Sequence, residues 1–464
     1  MKNTRVAGAK KIFIDSKSSY NKVESRITVS KDLEKYFRCY DFFSSYDEDI
    51  CPSRSIINIP VLSIVLPIAW ITGADVYVDE LDDKFVKSMD ALQLEYKKIY
   101  PKAPFKTRLF VSDTVESEPA PNDTALLFSG GIDSTYSLFS NVAVKPRLIM
   151  IFGVMDIPIS NVKLQERIKT EYSNFAEREG LNLNFIHTNA LEIMDHNRLR
   201  HLWGRFQGGH EGDFWNGIGY ALGHVGQVAP LSIDRFSHLI SAASYDAAHS
   251  ILDNPDASSP DTDEKIAWGN LEVKHDGNLH RYQKMVALKN LLKNGRIKLR
   301  VCWSEPEFFL PYDSLNCSRC EKCLRTIASL VYVGVDPNEC GFNVDDSTFK
   351  IMRFLFEENV LTHKQIKIWW KPLQKLIPDN VEFDFHGSKE FFEWFKTKNL
   401  DLTGKKYRTL LHSLYFKFPF LISHKFKKVY DLIAPGKYQM YQPIELDKNV
   451  HLQTSIRTPE KLRK

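Results

Sequence analysis

Strong charge of one sign is the first thing this 464-residue sequence lacks: 62 Lys and Arg stand against 58 Asp and Glu, a formal net charge of +4. So even a balance provides no general field to draw in nucleic acid or an anionic membrane, and any such contact would be local. A nucleic-acid partner is therefore not expected. The sequence also lacks an apolar run of bilayer length. Its most apolar stretch, 56–71, is shorter than a membrane-crossing helix needs and holds Pro60 and Pro67, so it reads as a buried core segment and no membrane partner is expected. The basic stretch 1–11 is not followed by an apolar core and a small-residue cleavage site, so the expected location is cytoplasmic. Cysteine is scarce, seven in all, and four fall between 302 and 323. That crowding suits metal ligands in a reducing compartment better than a disulfide framework. There is no internal repeat.

What is present is the composition of a folded protein: 43% apolar and 26% charged residues allow a real core and exclude wholesale disorder. The length exceeds what one core usually supports, which predicts two or three units. Residues 1–120 alternate short β-rich patterns (11–15, 26–30, 108–111) with a helical pattern at 85–96, and read as an accessory α/β region. The polar, proline-bearing string Glu-Ser-Glu-Pro-Ala-Pro-Asn-Asp at 116–123 reads as a connector.

From 124 the pattern becomes strand, Gly turn, helix (124–138), strand (148–154), helix (161–179) and strand (182–187). Alternation of this kind predicts a doubly wound parallel α/β sheet over 121–345, with ligands beyond the carboxyl ends of its strands. A Gly- and aromatic-rich stretch, 202–216, precedes a helical pattern at 218–228. An acidic Ser/Pro segment, 254–263, is long enough to serve as a lid or substrate loop. The region 346–464 reads as mainly helical, with patterns at 347–359 and 363–376.

Two constellations carry chemistry. In Ser129-Gly130-Gly131-Ile132-Asp133-Ser134, two glycines and two serines lie between a buried strand and a helix. Glycine lets backbone amides approach a polyphosphate, serine hydroxyls add donors, and the helix start adds partial positive charge. Asp133 would hold Mg²⁺ or orient the phosphates. The Gly-Lys-Ser/Thr ending of a Walker A loop is missing. The bland alternative is a capped strand-to-helix turn. The second constellation, Cys317-Ser-Arg-Cys320-Glu-Lys-Cys323 with Cys302 fifteen positions earlier after a strand-like run at 297–301, offers four thiolates for tetrahedral Zn²⁺. Arg319, Lys322 and Arg325 would offset its charge. An iron–sulfur cluster is the rival, Cys340 an alternative fourth ligand, and Cys39 and Cys51 read as ordinary core thiols.

Arg281 and Lys284, after His275-Asp276-Gly277, could neutralise charge on departing pyrophosphate, or simply lie on a solvated helix face. Ser244, Tyr245 and Asp246 follow a strand pattern at 239–243, where a substrate contact is expected, and Asp246 could accept from a guanine-like edge. His210 and His224 are conceivable bases, but the plainer reading of both is a structural histidine. In the tail, Phe416, Phe418, Phe420, Lys425, Lys427 and Lys428 could meet lipid, RNA or protein, or only pack a helix.

The phosphate-loop string resembles the signature of the N-type ATP pyrophosphatases of the PP-loop superfamily, whose fold is the adenine nucleotide alpha hydrolase-like sheet. With a cysteine triplet about 190 residues on, the chain is similar to the QueC family of 7-cyano-7-deazaguanine synthases over roughly 124–330. The resemblance implies ATP, with Ser129, Gly130, Gly131, Asp133 and Ser134 as ligands, and zinc on Cys302, Cys317, Cys320 and Cys323. It implies adenylation of a deazapurine carboxylate and C–N bond formation with ammonia. Longer QueC-like proteins of bacterial antiviral operons, the QatC type among them, have a similar build, and there the resemblance suggests an amine on a partner protein met through the flanking regions. A tRNA-modifying PP-loop enzyme, or a protein-binding module retaining the fold, are the alternatives.

Overall fold

The structure is a computed structural model that describes residues 10–207, 213–246, 256–302, 314–357, 361, 363–377 and 384–402. His210 and the aromatic and basic tail residues at 416–428 lie outside the described residues, all of which fall in one unit, Met1–Lys405.

Among the described residues, ten strands build one mixed sheet: β1 (Lys11–Ser19), β2 (Lys22–Val29), β3 (Asp41–Tyr46), β4 (Asp75–Asp82), β5 (Leu109–Val115), β6 (Thr124–Leu127), β7 (Arg147–Phe152), β8 (Leu183–Thr188), β9 (His238–Ala242) and β10 (Glu272–Asp276). Their order is β10-β9-β6-β7-β8-β3-β2-β1-β4-β5. The pairs β10–β9, β9–β6, β6–β7 and β7–β8 are all parallel. The antiparallel ladder Ser44↔Thr188, Ser45↔His187, Tyr46↔Ile186 then joins β8 to β3, so the sheet runs unbroken from the region before 116–123 into the region after it.

The parallel half is covered on both faces, and the sequence shows why. Successive residues of β6 to β9 feed two different apolar clusters: Ala125, Ile149, Ile186 and Leu239 enter one, while Leu126, Leu148, Phe185 and Ile240 enter the other. A strand buried on both sides needs a nearly continuous apolar run, as in Arg147-Leu-Ile-Met-Ile-Phe152. This arrangement is compatible with a doubly wound α/β fold. In β1 the pattern alternates instead: Ile12 and Ile14 are buried while Phe13 stands exposed, so only one face of that half is covered.

The apolar run 56–71 becomes the helix Ile59–Thr72, buried along its whole length and ended by Gly73 in the left-handed region. No helix among the described residues is long and apolar enough to cross a membrane. This neighbour explains one glycine of the next apolar helix, Tyr220–Gln227: a Cβ on Gly226 would lie 2.3 Å from Cβ of Ser63. The described part of the Ser/Pro segment, 256–263, is no loose lid, because Thr262 and Asp263 are fully buried and a Ser259–Thr262 capping box closes the short helix Pro260–Asp263. Residues 297–301 form no strand: Leu299 N–H donates to the Cys340 carbonyl (3.0 Å) and Val301 N–H to Asn316 Oδ1 (2.8 Å), so this extended stretch is held by loops and not by the sheet.

Candidate functional site

The chain leaves β6 for β7 and β8 on one side, then returns to place β9 and β10 on the other. The strand order therefore reverses between β6 and β9, and in open α/β sheets ligands sit beyond the carboxyl ends of the strands at such a switch point. The phosphate-loop candidate lies there.

The loop leads into the helix Ile132–Ser140, whose N-cap, Gly131, has an extended backbone and no capping side chain. The first amides of a helix have no partner within it, so this start is suited to an anion. The serines shape the turn: Ser129 N–H donates to Ser134 Oγ (3.2 Å), and Gly131 N–H donates to Ser129 Oγ (3.3 Å). Gly130 is required twice over. Its φ is +73°, and a Cβ there would fall 1.9 Å from the Tyr172 hydroxyl oxygen.

The Asp133 side chain is largely covered, with 15% of its surface exposed. Its Oδ2 accepts from Arg281 Nε (3.0 Å) and a terminal Arg281 nitrogen (2.6 Å), while its Oδ1 accepts from Lys284 Nζ (2.9 Å). Burial opposes the charge on this carboxylate, but Arg281 and Lys284 together hold its pKa well below the usual carboxylate range. Both cations come from the helix Arg281–Lys293, three residues apart and therefore on one face. Lys284 is fully buried and also donates to the Ala243 carbonyl, just past β9. One carboxylate thus ties together the elements that follow β6, β9 and β10, with one positive charge in excess. With each oxygen already engaged by a cation, Asp133 fits the orienting role better than that of a Mg²⁺ ligand.

Beyond β9, Tyr245 donates to Asp256 Oδ2 (3.0 Å) and stacks on Trp369 with ring centroids 5.5 Å apart. The Arg281 guanidinium carbon lies 4.3 Å from the Trp369 centroid, and that of Arg325 lies 4.4 Å from it. Burial lowers the Arg325 pKa to about 10, with Arg281 adding to the effect against Glu321. Asp246 sits next to Tyr245, where its charge acts on His280. His275 pairs with buried Asp263 at 2.9 Å, and Asp263 also accepts from Ser241 (2.8 Å) and Ser258 (2.7 Å). Asp276 accepts from Asn141 Nδ2 at 3.1 Å. His224 binds the Tyr220 carbonyl through Nδ1 (2.6 Å), and burial lowers its pKa. That contact fits a structural histidine. Sequence reading misses Asp256, Asp263, Tyr220 and Trp369, which carry no motif and meet only through folding. It marks Arg325 only as a neighbour of the cysteines.

The four cysteines come together. Sγ atoms of Cys302, Cys317, Cys320 and Cys323 all lie within 4.8 Å of one another, and the group could hold a metal ion such as zinc. The geometry is local in origin: Ser318 in the left-handed region (φ +54°) turns the chain, and Cys320 N–H donates to Cys317 Sγ (3.2 Å). Burial raises the thiols of Cys320 and Cys323, so four thiolates here need a cation as counter-charge.

Cys340 is not part of the group. Its thiol faces the Leu292 carbonyl (3.9 Å), and burial pushes its pKa up to about 12. Cys51 is exposed and so is no core thiol, whereas Cys39 is half-buried and packs against the edge of the core. The basic neighbours are engaged elsewhere: Arg319 with Asp345 (2.6 Å), Lys322 with Asp156 (3.0 Å) and Arg325 with Glu321 (3.6 Å).

No protein-family model matches the chain, and neither a curated protein nor a solved structure shows significant similarity to it.

Proposed function

We propose that the protein is an ATP-dependent C–N bond-forming enzyme of the PP-loop, QueC-like kind, acting on a planar deazapurine-type carboxylate. One observation carries this reading: an uncapped helix start after a Ser-Gly-Gly turn lies at the switch point of a parallel sheet, with Arg281 and Lys284 oriented on Asp133 beside it. That arrangement is a receptor for a polyphosphate: main-chain amides for its oxygens, and an excess positive charge fixed before the ligand arrives.

The chemistry follows from the charges. The β- and γ-phosphates of ATP rest on the loop. The substrate carboxylate attacks the α-phosphorus, the bond to the β-phosphate oxygen breaks, and pyrophosphate leaves while Arg281 and Lys284 neutralise it. An amine, either ammonia or a group on a partner protein in antiviral defence, then attacks the acyl carbon and AMP departs. Asp133 positions the two cations, because its two oxygens are already spoken for. The four-cysteine group fits zinc in a structural role, and no step passes through it.

The test is ATP–pyrophosphate exchange by the purified full chain with 7-carboxy-7-deazaguanine. Exchange that depends on the carboxylate and is lost in D133N supports the reading; no ATP binding by the wild-type chain rejects it.

A further inference from the structure

Arg325 is 8% exposed, lies one turn into the helix Glu321–Tyr332, and has its guanidinium against the face of Trp369. Its ion partner, Glu321, is 3.6 Å away, longer than a hydrogen bond, and Glu321 Oε1 already accepts from Trp370 Nε1 (3.0 Å). Among the described residues no acceptor lies within hydrogen-bond distance of this guanidinium. The guanidinium is largely desolvated yet its N–H fork has no protein acceptor among the described residues, an arrangement that costs stability unless solvent or a ligand supplies the acceptor at its reachable edge. Stacking on Trp369 holds the fork by its face and leaves its donating edge free.

The surroundings say what that acceptor is. Arg281 lies against the same indole, so the two guanidinium carbons can be no further apart than the sum of their distances to it. Arg281 spends its charge on Asp133, which Lys284 already shares, and among the described residues the three cations pair only with Asp133 and Glu321. Within this group of three cations and two carboxylates one positive charge remains, next to Tyr245, whose own hydroxyl is turned to Asp256. We infer that Arg325, stacked on Trp369 and next to Arg281, forms an oxyanion subsite that receives a carboxylate or phosphate group of a ligand. The inference deepens the proposed function, since that reading puts two such groups here: the acceptor carboxylate and the nucleotide phosphate.

The experiment measures dissociation constants of the full chain, wild type, R325Q and R325K, for ATP, inorganic pyrophosphate and 7-carboxy-7-deazaguanine by calorimetry. Loss of a charge-assisted, forked hydrogen bond is expected to weaken the relevant ligand about tenfold or more in R325Q, and less in R325K, which keeps the charge. Weakening confined to the carboxylate identifies the acceptor as occupant; weakening confined to ATP and pyrophosphate identifies the nucleotide. If R325Q does not fold, R325K decides. Unchanged affinity for all three ligands in a folded variant overturns the subsite. A wild-type chain that binds pyrophosphate or the carboxylate but not ATP, with that binding lost in R325Q, keeps the subsite and rejects the ATP reading. A wild-type chain that binds none of them overturns both.

Discussion

The backbone amide of Arg300 donates to the carbonyl of Gly130 at 2.8 Å, so the segment that leads to Cys302 is hydrogen-bonded to the phosphate loop itself. Tyr172 reinforces the junction, its hydroxyl donating to the Lys298 carbonyl at 3.1 Å while filling the space beside Gly130. The cysteine cluster and the loop are therefore parts of one structure, and what loosens one reaches the other.

The first prediction concerns the metal. Zinc is expected at one ion per chain by elemental analysis, and C317S or C323S should abolish it while C340S retains it, because the Cys340 thiol lies outside the cluster. Through the Arg300–Gly130 bond, chelation should also weaken ATP binding along with thermal stability.

Asp133 is the second. D133N leaves the fully buried Lys284 ammonium without its carboxylate, and breaking a buried pair by removing one partner typically costs about 3 kcal/mol or more. Urea denaturation should show a loss of that order. A stability change within experimental error would mean that Lys284 finds water or another acceptor.

A third prediction separates steric need from conformational need at glycine. G130A forces a Cβ into the Tyr172 hydroxyl, whereas a methyl group on Gly180, with φ +63°, would meet nothing within 4 Å. G180A should lose roughly 1–2 kcal/mol, the left-handed penalty alone. G130A should lose more and should also abolish ATP binding, which G180A leaves intact.

The fourth is a pH dependence. Burial lowers the imidazole pKa of both His187 and His196 to about 4 from an ordinary 6.5. In that window the unfolded chain binds the protons and the folded chain does not, so stability rises with pH there. The midpoint of urea unfolding should fall as pH drops from about 6.5 toward 4, and H187Q and H196Q should each flatten the slope. A slope unaltered by both substitutions would assign the acid sensitivity elsewhere.

The strand, Ser-Gly-Gly turn and helix at 124–140, and the Cys317–Cys323 triplet, are readable from sequence because both are local: a few residues set a strand end, a helix start and a tight turn through their own backbone geometry. The proline-containing run 56–71 is likewise readable as core from its composition. Other relationships depend on segments far apart in the chain. Arg281 and Lys284 could have been a solvated helix face, and only the crossover that puts β9 and β10 beside β6 brings them to Asp133, about 150 positions away. Cys302 and not Cys340 completes the cysteine group because Asn316 holds residues 301 and 302 against it. The continuation of the sheet through β3 and β8, and the meeting of Arg325 with Trp369, are equally invisible in the sequence. Spacing along a chain determines what neighbours in sequence can do together; which distant groups share a site is decided by how strands order and helices pack, and that order is a property of the whole core.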